Sequence, residues 1–253
     1  MTVKDIYRRL EMRIPKELSE PWDNDGLMVC PDVYQEVNRV IATLDVTEDV
    51  VDYAIESGAD LIISHHPLIF RPLTSITEDN HVARKVIKLL ESGIAVMSFH
   101  TRLDKVDGGV NDRLCQILGI ENAVPFGEGD LGRIGYVHTE RLLDDFAFGV
   151  KQSLEADVVR FADALNPVHR VAVVGGDGKS YVQDAIALGA DTYISGRIGY
   201  NVMEEASEMG INLIEAGHYF TEQPITEFFR ETLYNIDPAL TVEIVSSNLI
   251  RHL

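Results

Sequence analysis

The chain has 253 residues, of which 45% are hydrophobic and 25% charged, which is ordinary for a globular protein with a substantial core. Its formal net charge is −19, and no strong basic cluster offsets it, so binding to a nucleic-acid backbone is disfavoured. No apolar run is long enough to cross a bilayer, and the first residues do not resemble a signal peptide. Two isolated cysteines, Cys30 and Cys115, cannot supply a disulfide framework or a cysteine-based zinc site. We therefore expect a cytoplasmic protein without a membrane partner.

The pattern of apolar residues alternates between strands and helices along the chain. Residues 4–12 have helical spacing and lead into a polar turn at 21–27, where Trp22 either pins the loop or lines a site. Thr47 is typical of a helix N-cap, and Gly58 ends the helix that follows it. Such alternation predicts an α/β fold with a parallel or mixed sheet. The other predicted strands are 40–46, 60–64, 94–99, 133–137, 170–174, 190–195, 211–215 and 241–246, and the other predicted helices are 82–92, 110–118, 142–155, 180–188, 199–209 and 222–235.

The two halves of the chain resemble each other. Residues 39–64 and 170–195 are 131 positions apart and share ten identities in twenty-six positions without a gap. This agreement indicates two related strand–helix–strand units, one in each half. Residues 125–132, rich in glycine and acid, form the best linker candidate. We therefore predict two related α/β domains, 1–125 and 126–253, with a ligand site in the cleft between them.

Two adjacent histidines mark the end of the strongest predicted strand. The apolar run 61–64 is followed directly by His65 and His66, and Pro67 then prevents the strand from continuing. Ligands of α/β sheets bind at the carboxyl ends of strands, so both imidazoles are candidate ligands. The alternative is that one histidine packs in the core and the other is exposed.

Further ligand candidates follow two other predicted strands. His100 and Asp104 come after one, and His218 and Glu222 come after another, with a spacing of four residues in each pair. Imidazole and carboxylate donors without cysteine suit zinc, iron, manganese, magnesium or a similar divalent ion. One ion needs three or four protein ligands, so this set favours two ions that share a bridging carboxylate.

Two competing motifs fail. Residues 175–180 resemble a phosphate-binding loop, but the pattern requires glycine at position 173, which is Val173. We interpret the stretch as a glycine-rich turn after a strand. No Gly-x-Ser-x-Gly sequence is present, so serine hydrolase chemistry has no support.

Four motifs that contain the candidate ligands are distributed along nearly the whole chain. They are Trp22-Asp23-Asn24-x-Gly26-Leu27, Ser64-His65-His66-Pro67-Leu68-Ile69-Phe70, His100-Thr101-x-Leu103-Asp104 and Glu215-Ala216-Gly217-His218-Tyr219-x-Thr221-Glu222. In sequence and in order they resemble the motifs of the NIF3 family, also called the GTP cyclohydrolase I type 2 or dinuclear-metal-centre hexameric family.

The resemblance implies two α/β domains, a toroidal homohexamer and two divalent metal ions per subunit. It implies that His65 and Asp104 bind one ion, that His66 and His218 bind the other, and that Glu222 bridges both. His100 would stand beside the pair and orient a ligand or a water molecule.

One residue departs from the family pattern. The family usually has asparagine where this chain has Arg102. We expect this arginine, two residues before Asp104, to add positive charge beside the site, which would suit phosphate or alter the choice of substrate.

These features predict a dinuclear divalent-metal-dependent hydrolase with a small-molecule substrate. The family name suggests GTP, with opening of the purine imidazole ring by a metal-bridging hydroxide, and Glu222 and His100 as the catalytic residues. The alternative is a non-catalytic metal-binding hexameric scaffold or regulator, because the sequence does not identify a general acid. A regulator that binds nucleic acid is disfavoured by the charge.

Overall fold

The structure, a computed structural model, describes residues 1–251, so His252 and Leu253 of the predicted second domain lie outside the described residues. The fold divides into two compact units. The first consists of Met1–Val106 and Ile225–Leu249, and the second contains Asp107–Pro224 and the segment from Ile250. The predicted domain boundary after residue 125 stays a prediction.

Strands and helices alternate along most of the chain. The strands are β1 (Gly26–Val29), β2 (Arg39–Thr43), β3 (Leu61–Ser64), β4 (Ala95–Ser98), β5 (Ile120–Phe126), β6 (Gly132–Arg141), β7 (Arg160–Ala162), β8 (Val168–Asp177), β9 (Thr192–Arg197), β10 (Asn212–Glu215) and β11 (Thr241–Ile244). The α-helices are α1 (Val3–Arg13), α2 (Glu48–Glu56), α3 (His81–Glu91), α4 (Thr101–Lys105), α5 (Val110–Leu118), α6 (Leu143–Ser153), α7 (Val182–Ala187), α8 (Tyr200–Glu208), α9 (His218–Glu222) and α10 (Ile225–Ile236).

Each unit is built on a mixed sheet, which confirms the predicted α/β class. Among the described residues, the first unit has a five-stranded sheet in the order β1-β4-β3-β2-β11, with β1 antiparallel to β4 and the other pairs parallel. Within residues 107–224, the second sheet has six strands in the order β5-β6-β8-β9-β10-β7. Its β8, β9 and β10 are parallel, and its outer pairs are antiparallel. Helix α10 and strand β11 lie in the first unit although they follow residue 126.

Local sequence explains where the helices begin. The Thr47 side chain accepts a hydrogen bond from the Val50 N–H at the start of α2, as its N-cap position predicts. Asn80 caps α3 in the same way, by accepting from the Val82 and Ala83 N–H groups. These side chains satisfy N–H groups that the first turn of a helix leaves without intrahelical partners.

The internal repeat has the same geometry in both units. Val40 is paired with Leu61 between β2 and β3, and Val171 is paired with Thr192 between β8 and β9, so the parallel register is conserved after a shift of 131. In each half, the aspartate of the Gly-Ala-Asp sequence binds the backbone at the start of the neighbouring strand. Asp60 accepts hydrogen bonds from the N–H groups of residues 38 and 39, and Asp191 accepts from those of residues 169 and 170. The identities between the halves therefore mark one strand–helix–strand frame used twice.

The predicted linker at 125–132 is wrong. Strand β5 extends to Phe126, a 3-10 turn covers Glu128–Asp130, and β6 begins at Gly132, so the segment is the connection of an antiparallel hairpin. Its glycines serve the turn, because Gly127 and Gly129 have φ values of 79° and 68°, which a side chain disfavours. Within residues 1–251, no helix combines the length and apolar character needed to cross a membrane.

Apolar side chains from the strands form separate cores in each unit. In the first unit, Ile41, Ile62 and Val96 from neighbouring strands pack with residues of α2 and α3. In the second unit, the two faces of the sheet carry two clusters, one against α5 and α6 and the other against α7 and α8. Helices therefore cover both faces of that sheet.

The shared role of Asp60 and Asp191 predicts matched effects on stability. Each carboxylate accepts backbone hydrogen bonds at the start of a central strand, so Asp60→Ala and Asp191→Ala should each lower the free energy of unfolding by about 1 to 2 kcal/mol. Urea unfolding followed by circular dichroism measures this change. The control Asp157→Ala, at an exposed position, should stay within about 0.5 kcal/mol of the wild type. Equal effects for all three variants would contradict the assigned role.

Candidate metal centre

Three histidines converge in the first unit. His65 and His66 directly follow β3, as predicted, and His100 occupies the N-cap position of α4, just after β4. The ring centroids of His65 and His66 are 5.0 Å apart, and those of His65 and His100 are 5.3 Å apart. One ligand nitrogen of each ring lies within 4.8 Å of those of the other two. Parallel strands β3 and β4 are neighbours, which brings residues after their carboxyl ends together.

Each of the three imidazoles is oriented by an oxygen atom at its Nδ1. The Nδ1 of His65 is 3.0 Å from the Phe99 carbonyl oxygen. The Nδ1 of His66 is 2.7 Å from Asp45 Oδ1, and that of His100 is 2.8 Å from Asp23 Oδ1. When Nδ1 donates to these oxygens, the Nε2 lone pair is left to bind a cation, which is the usual arrangement of histidine at metal sites.

Asp104 adds a carboxylate to this group. It lies on α4, and its Oδ1 is 3.7 Å from His65 Nε2. His65 is fully buried and Asp104 half-buried, so the pair is partly protected from water. The first unit thus offers imidazole nitrogens and a carboxylate oxygen at one place, the donors that divalent transition metals bind.

Asp23, which lies in the polar turn before β1, anchors the His100 segment. Besides contacting His100, its carboxylate accepts hydrogen bonds from the Thr101 N–H at 3.0 Å and from Thr101 Oγ1 at 2.6 Å. Burial alone would raise the pKa of Asp23, but the bond and charge of His100 and the bonds of Thr101 outweigh it and hold the pKa at about 2. For His100, burial lowers the pKa, but the hydrogen bond to Asp23 and the charges of Asp104 and Asp23 raise it above its ordinary value.

The sequence analysis expected Arg102 to add positive charge beside the site, and this prediction is wrong. The Arg102 side chain is fully buried. Its guanidinium donates through Nε to Asp25 at 2.9 Å, and through one terminal nitrogen to Glu11 at 2.7 Å and the Ile14 carbonyl at 2.9 Å. Residues two apart on a helix point in different directions, so Arg102 and Asp104 do not share a face of α4. Arg102 therefore belongs to the core of the first unit, where two carboxylates neutralise it.

The second unit places its predicted ligands on one short helix. His218 and Glu222 are the first and last residues of α9, and the distance from His218 Nε2 to Glu222 Oε2 is 3.0 Å. Glu222 is 5% exposed, whereas the His218 side chain is 45% exposed in this chain. The spacing of four residues puts both groups on one helix face, as the sequence predicted.

The glycines that resemble a phosphate-binding loop make room for α9. Strand β8 runs through Asp177, so Gly175 and Gly176 belong to the strand rather than to a turn after it, which corrects the sequence interpretation. A Cβ atom on Gly176, where φ is +65°, would lie 2.1 Å from Glu222 Oε1 and 3.3 Å from His218 Nε2. A Cβ on Gly196 of β9 would lie 2.5 Å from Thr221 Oγ1. These glycines leave a cradle around the carboxylate that a side chain would fill.

The imidazole and carboxylate donors of the two units are of the kinds that a divalent metal binds. Sequence reasoning found His65, His66, His100, Asp104, His218 and Glu222, but it missed the groups that orient them. Asp45, the Phe99 carbonyl and Gly176 were not singled out, and Asp23 was noted only as part of a motif. Asp45 lies just past the end of β2, which is the parallel neighbour of β3. A prediction that β2 and β3 pair would therefore have pointed to Asp45 as a partner of His66.

Comparisons with known proteins identify the family of the chain. A sequence profile described as Duf34/NIF3 (NGG1p interacting factor 3) matches residues 1–252. The chain belongs to the Duf34/NIF3 family. A curated relative from Clostridium perfringens, named GTP cyclohydrolase 1 type 2 homolog, is 37% identical over 232 residues, which are 89% of this chain and 88% of the relative.

Further Duf34/NIF3 comparisons extend to archaea and to solved structures. A relative with the same name from Methanocaldococcus jannaschii is 30% identical over 248 residues, 97% of this chain and 99% of the relative. The crystal structure of a Bacillus cereus protein related to NIF3 matches with a TM-score of 0.85 and 27% identity, covering 99% of this chain and 97% of that one. The expected family and its two-sheet α/β fold are thus confirmed.

The buried position of Arg102 predicts a large effect on stability. Arg102→Met leaves the buried Asp25 carboxylate without its guanidinium partner, although Lys16 still pairs with it, so we expect a loss of roughly 3 kcal/mol. Chemical unfolding measures this loss. The control is Arg39→Met, which removes a half-exposed pair with Glu243 and should cost about 0 to 1 kcal/mol. Similar losses for the two variants would show that burial of the Arg102 pair has no special effect.

Proposed function

We propose that the chain is a dinuclear divalent-metal-dependent hydrolase in which both units supply ligands to one pair of ions. The observation that carries this proposal is the fixed orientation of the histidines. His65 and His66, the proposed ligands, each have Nδ1 engaged by an oxygen atom, which suits coordination through Nε2, and Asp23 orients His100 beside them in the same way. Histidines that served only packing would not need the same arrangement three times at adjacent strand ends.

The proposed ligand assignment follows the family resemblance. His65 and Asp104 would hold one ion, His66 and His218 would hold the other, and Glu222 would serve both. The 3.7 Å separation of His65 Nε2 and Asp104 Oδ1 supports the first pair. The buried carboxylate of Glu222, beside His218 and facing the Gly176 backbone, supports a bridging role because each of its two oxygens can bind a cation.

The chain's own residues would position groups and handle protons. When bound, divalent ions in such a site supply Lewis acidity and an activated water molecule for hydrolysis. His100 stands beside the proposed ligands His65 and His66 and is held by Asp23 at Nδ1, so it is placed to transfer a proton to a departing group. His100 is therefore our candidate for the general acid that the sequence did not identify.

We propose a purine nucleotide, GTP in the first instance, as the substrate and opening of its imidazole ring as the reaction. The curated relatives named GTP cyclohydrolase 1 type 2 homolog support this choice. The chain's net charge of −19 would repel a triphosphate, so bound cations are needed to attract it. A homohexamer follows from the resemblance and a cytoplasmic location from the composition, and both are part of this proposal.

Product analysis tests the proposed function. Metal-loaded protein is incubated with GTP, and formate and ring-opened guanine nucleotide are quantified. We expect both products from the wild type and none from Glu222→Gln, whose metal affinity should fall at least about tenfold because a ligand charge is lost. The matched control is Glu205→Gln, an exposed glutamate on α8, which should behave like the wild type.

Two results would contradict the proposal at different points. If Glu222→Gln retains full metal occupancy, the bridging assignment is wrong. If the wild type binds two ions per chain but yields no product from GTP or other purine nucleotides, the proposed hydrolase activity is wrong. A metal-binding scaffold or regulator would then be the better account.

A further inference from the structure

Two large aromatic side chains next to the histidine group remain exposed. Trp22 is 62% exposed and Phe70 is 46% exposed. The centroids of the two rings are 6.2 Å apart. The centroid of the His100 ring lies 6.3 Å from that of Trp22 and 6.1 Å from that of Phe70. All three residues belong to the first unit. The exposed rings therefore adjoin one of the candidate site residues.

The backbone that carries these rings is anchored. Asp23, next to Trp22, accepts the hydrogen bonds from His100 and Thr101 described above. Asn24 donates a side-chain hydrogen bond to the Ile69 carbonyl, immediately before Phe70, and thus joins the two loops. The Glu20 N–H donates to Thr101 Oγ1 at 2.9 Å. The indole and the phenyl ring are therefore presented from loops held in place on both sides.

The three rings contact one another edge to face. The planes of Trp22 and Phe70 meet at 75°, those of Trp22 and His100 at 76°, and those of Phe70 and His100 at 89°. Because the three planes are steeply inclined to one another, the rings form a corner. An indole that is more than half exposed leaves apolar surface in contact with water. A ligand that covers this surface is stabilised by the hydrophobic effect, and the anchored loop does not have to be ordered first.

We propose that Trp22 and Phe70 form a binding subsite for a planar heteroaromatic ring and place that ring beside His100. Aromatic side chains stack on any nucleobase, because each base has a π-face, and edge contacts from the second ring fix its position. The identification of the ring as a purine rests on the proposed function. The subsite itself rests on the exposure, the anchoring and the ring geometry.

The sequence provides a direct probe, since Trp22 is the only tryptophan in the chain. Its fluorescence can be followed in the full-length, metal-loaded protein during titration with guanosine, and in parallel with ribose. Guanosine lacks phosphate, so it isolates binding of the ring from attraction of phosphate to cations. We expect guanosine to quench the fluorescence with a saturable dependence on concentration, and ribose to leave it unchanged.

Substitution of Phe70 tests the second ring while Trp22 still reports. Phe70→Leu should weaken guanosine binding at least about fivefold, because one aromatic contact is lost. The control Phe148→Leu changes a phenylalanine of α6 that is 62% exposed and lies in the second unit, and it should leave the dissociation constant unchanged. Calorimetry with Trp22→Leu and Trp22→Phe provides a second test, in which Phe should restore much of the binding that Leu loses.

The outcomes separate this proposal from the proposed function. Absence of quenching by guanosine, equal quenching by ribose, or unchanged affinity in Phe70→Leu and Trp22→Leu would overturn the subsite, even if GTP is converted to product. Ring-specific quenching in the wild type, together with weaker guanosine binding in both Phe70→Leu and Trp22→Leu, would support the subsite, even if no purine nucleotide is hydrolysed. In that case the proposed function would fail while the aromatic subsite stands.

Discussion

The hydrogen bonds that orient His65, His66 and His100 are the constraint on which the candidate site depends. Each bond fixes an imidazole at Nδ1 with an oxygen from a neighbouring segment, namely the Phe99 carbonyl, Asp45 or Asp23. The Phe99 carbonyl and Asp45 are in place because β2, β3 and β4 are parallel neighbours whose carboxyl ends share one edge of the sheet, whereas Asp23 comes from the turn before β1. The topology of the first unit therefore determines the direction in which the ring nitrogens can bind a ligand.

Backbone packing positions the candidate ligands of the second unit. Helix α9 is short, and its Glu222 side chain lies against β8 at a point where a Cβ atom would collide with the carboxylate. The strand residues at this point are glycines, so the helix can approach closely enough to bury the carboxylate next to His218. The same strand–helix–strand frame thus supplies two imidazoles from the end of its first copy and space for a carboxylate in its second.

Much of this arrangement is predictable from sequence, and the failures have physical causes. The repeat at a spacing of 131 predicted two equivalent frames because identical register requires similar residues at the strand starts, such as Asp60 and Asp191. Helices α4 and α9 are too short to show a periodic pattern, so their residues were found through ligand spacing alone. The position of Arg102 was mispredicted because adjacency in sequence says nothing about the direction of a side chain, and Asp25, its partner, is 77 residues away.

The central proposal is that the chain binds one pair of divalent ions. Electron paramagnetic resonance of the protein loaded with Mn²⁺ tests it most directly, because two ions about 3.5–4 Å apart are exchange-coupled. The account predicts two Mn²⁺ per chain with a coupled spectrum, and loss of the coupling in Glu222→Gln. Two ions with the spectrum of isolated Mn²⁺, or one ion per chain, would contradict it.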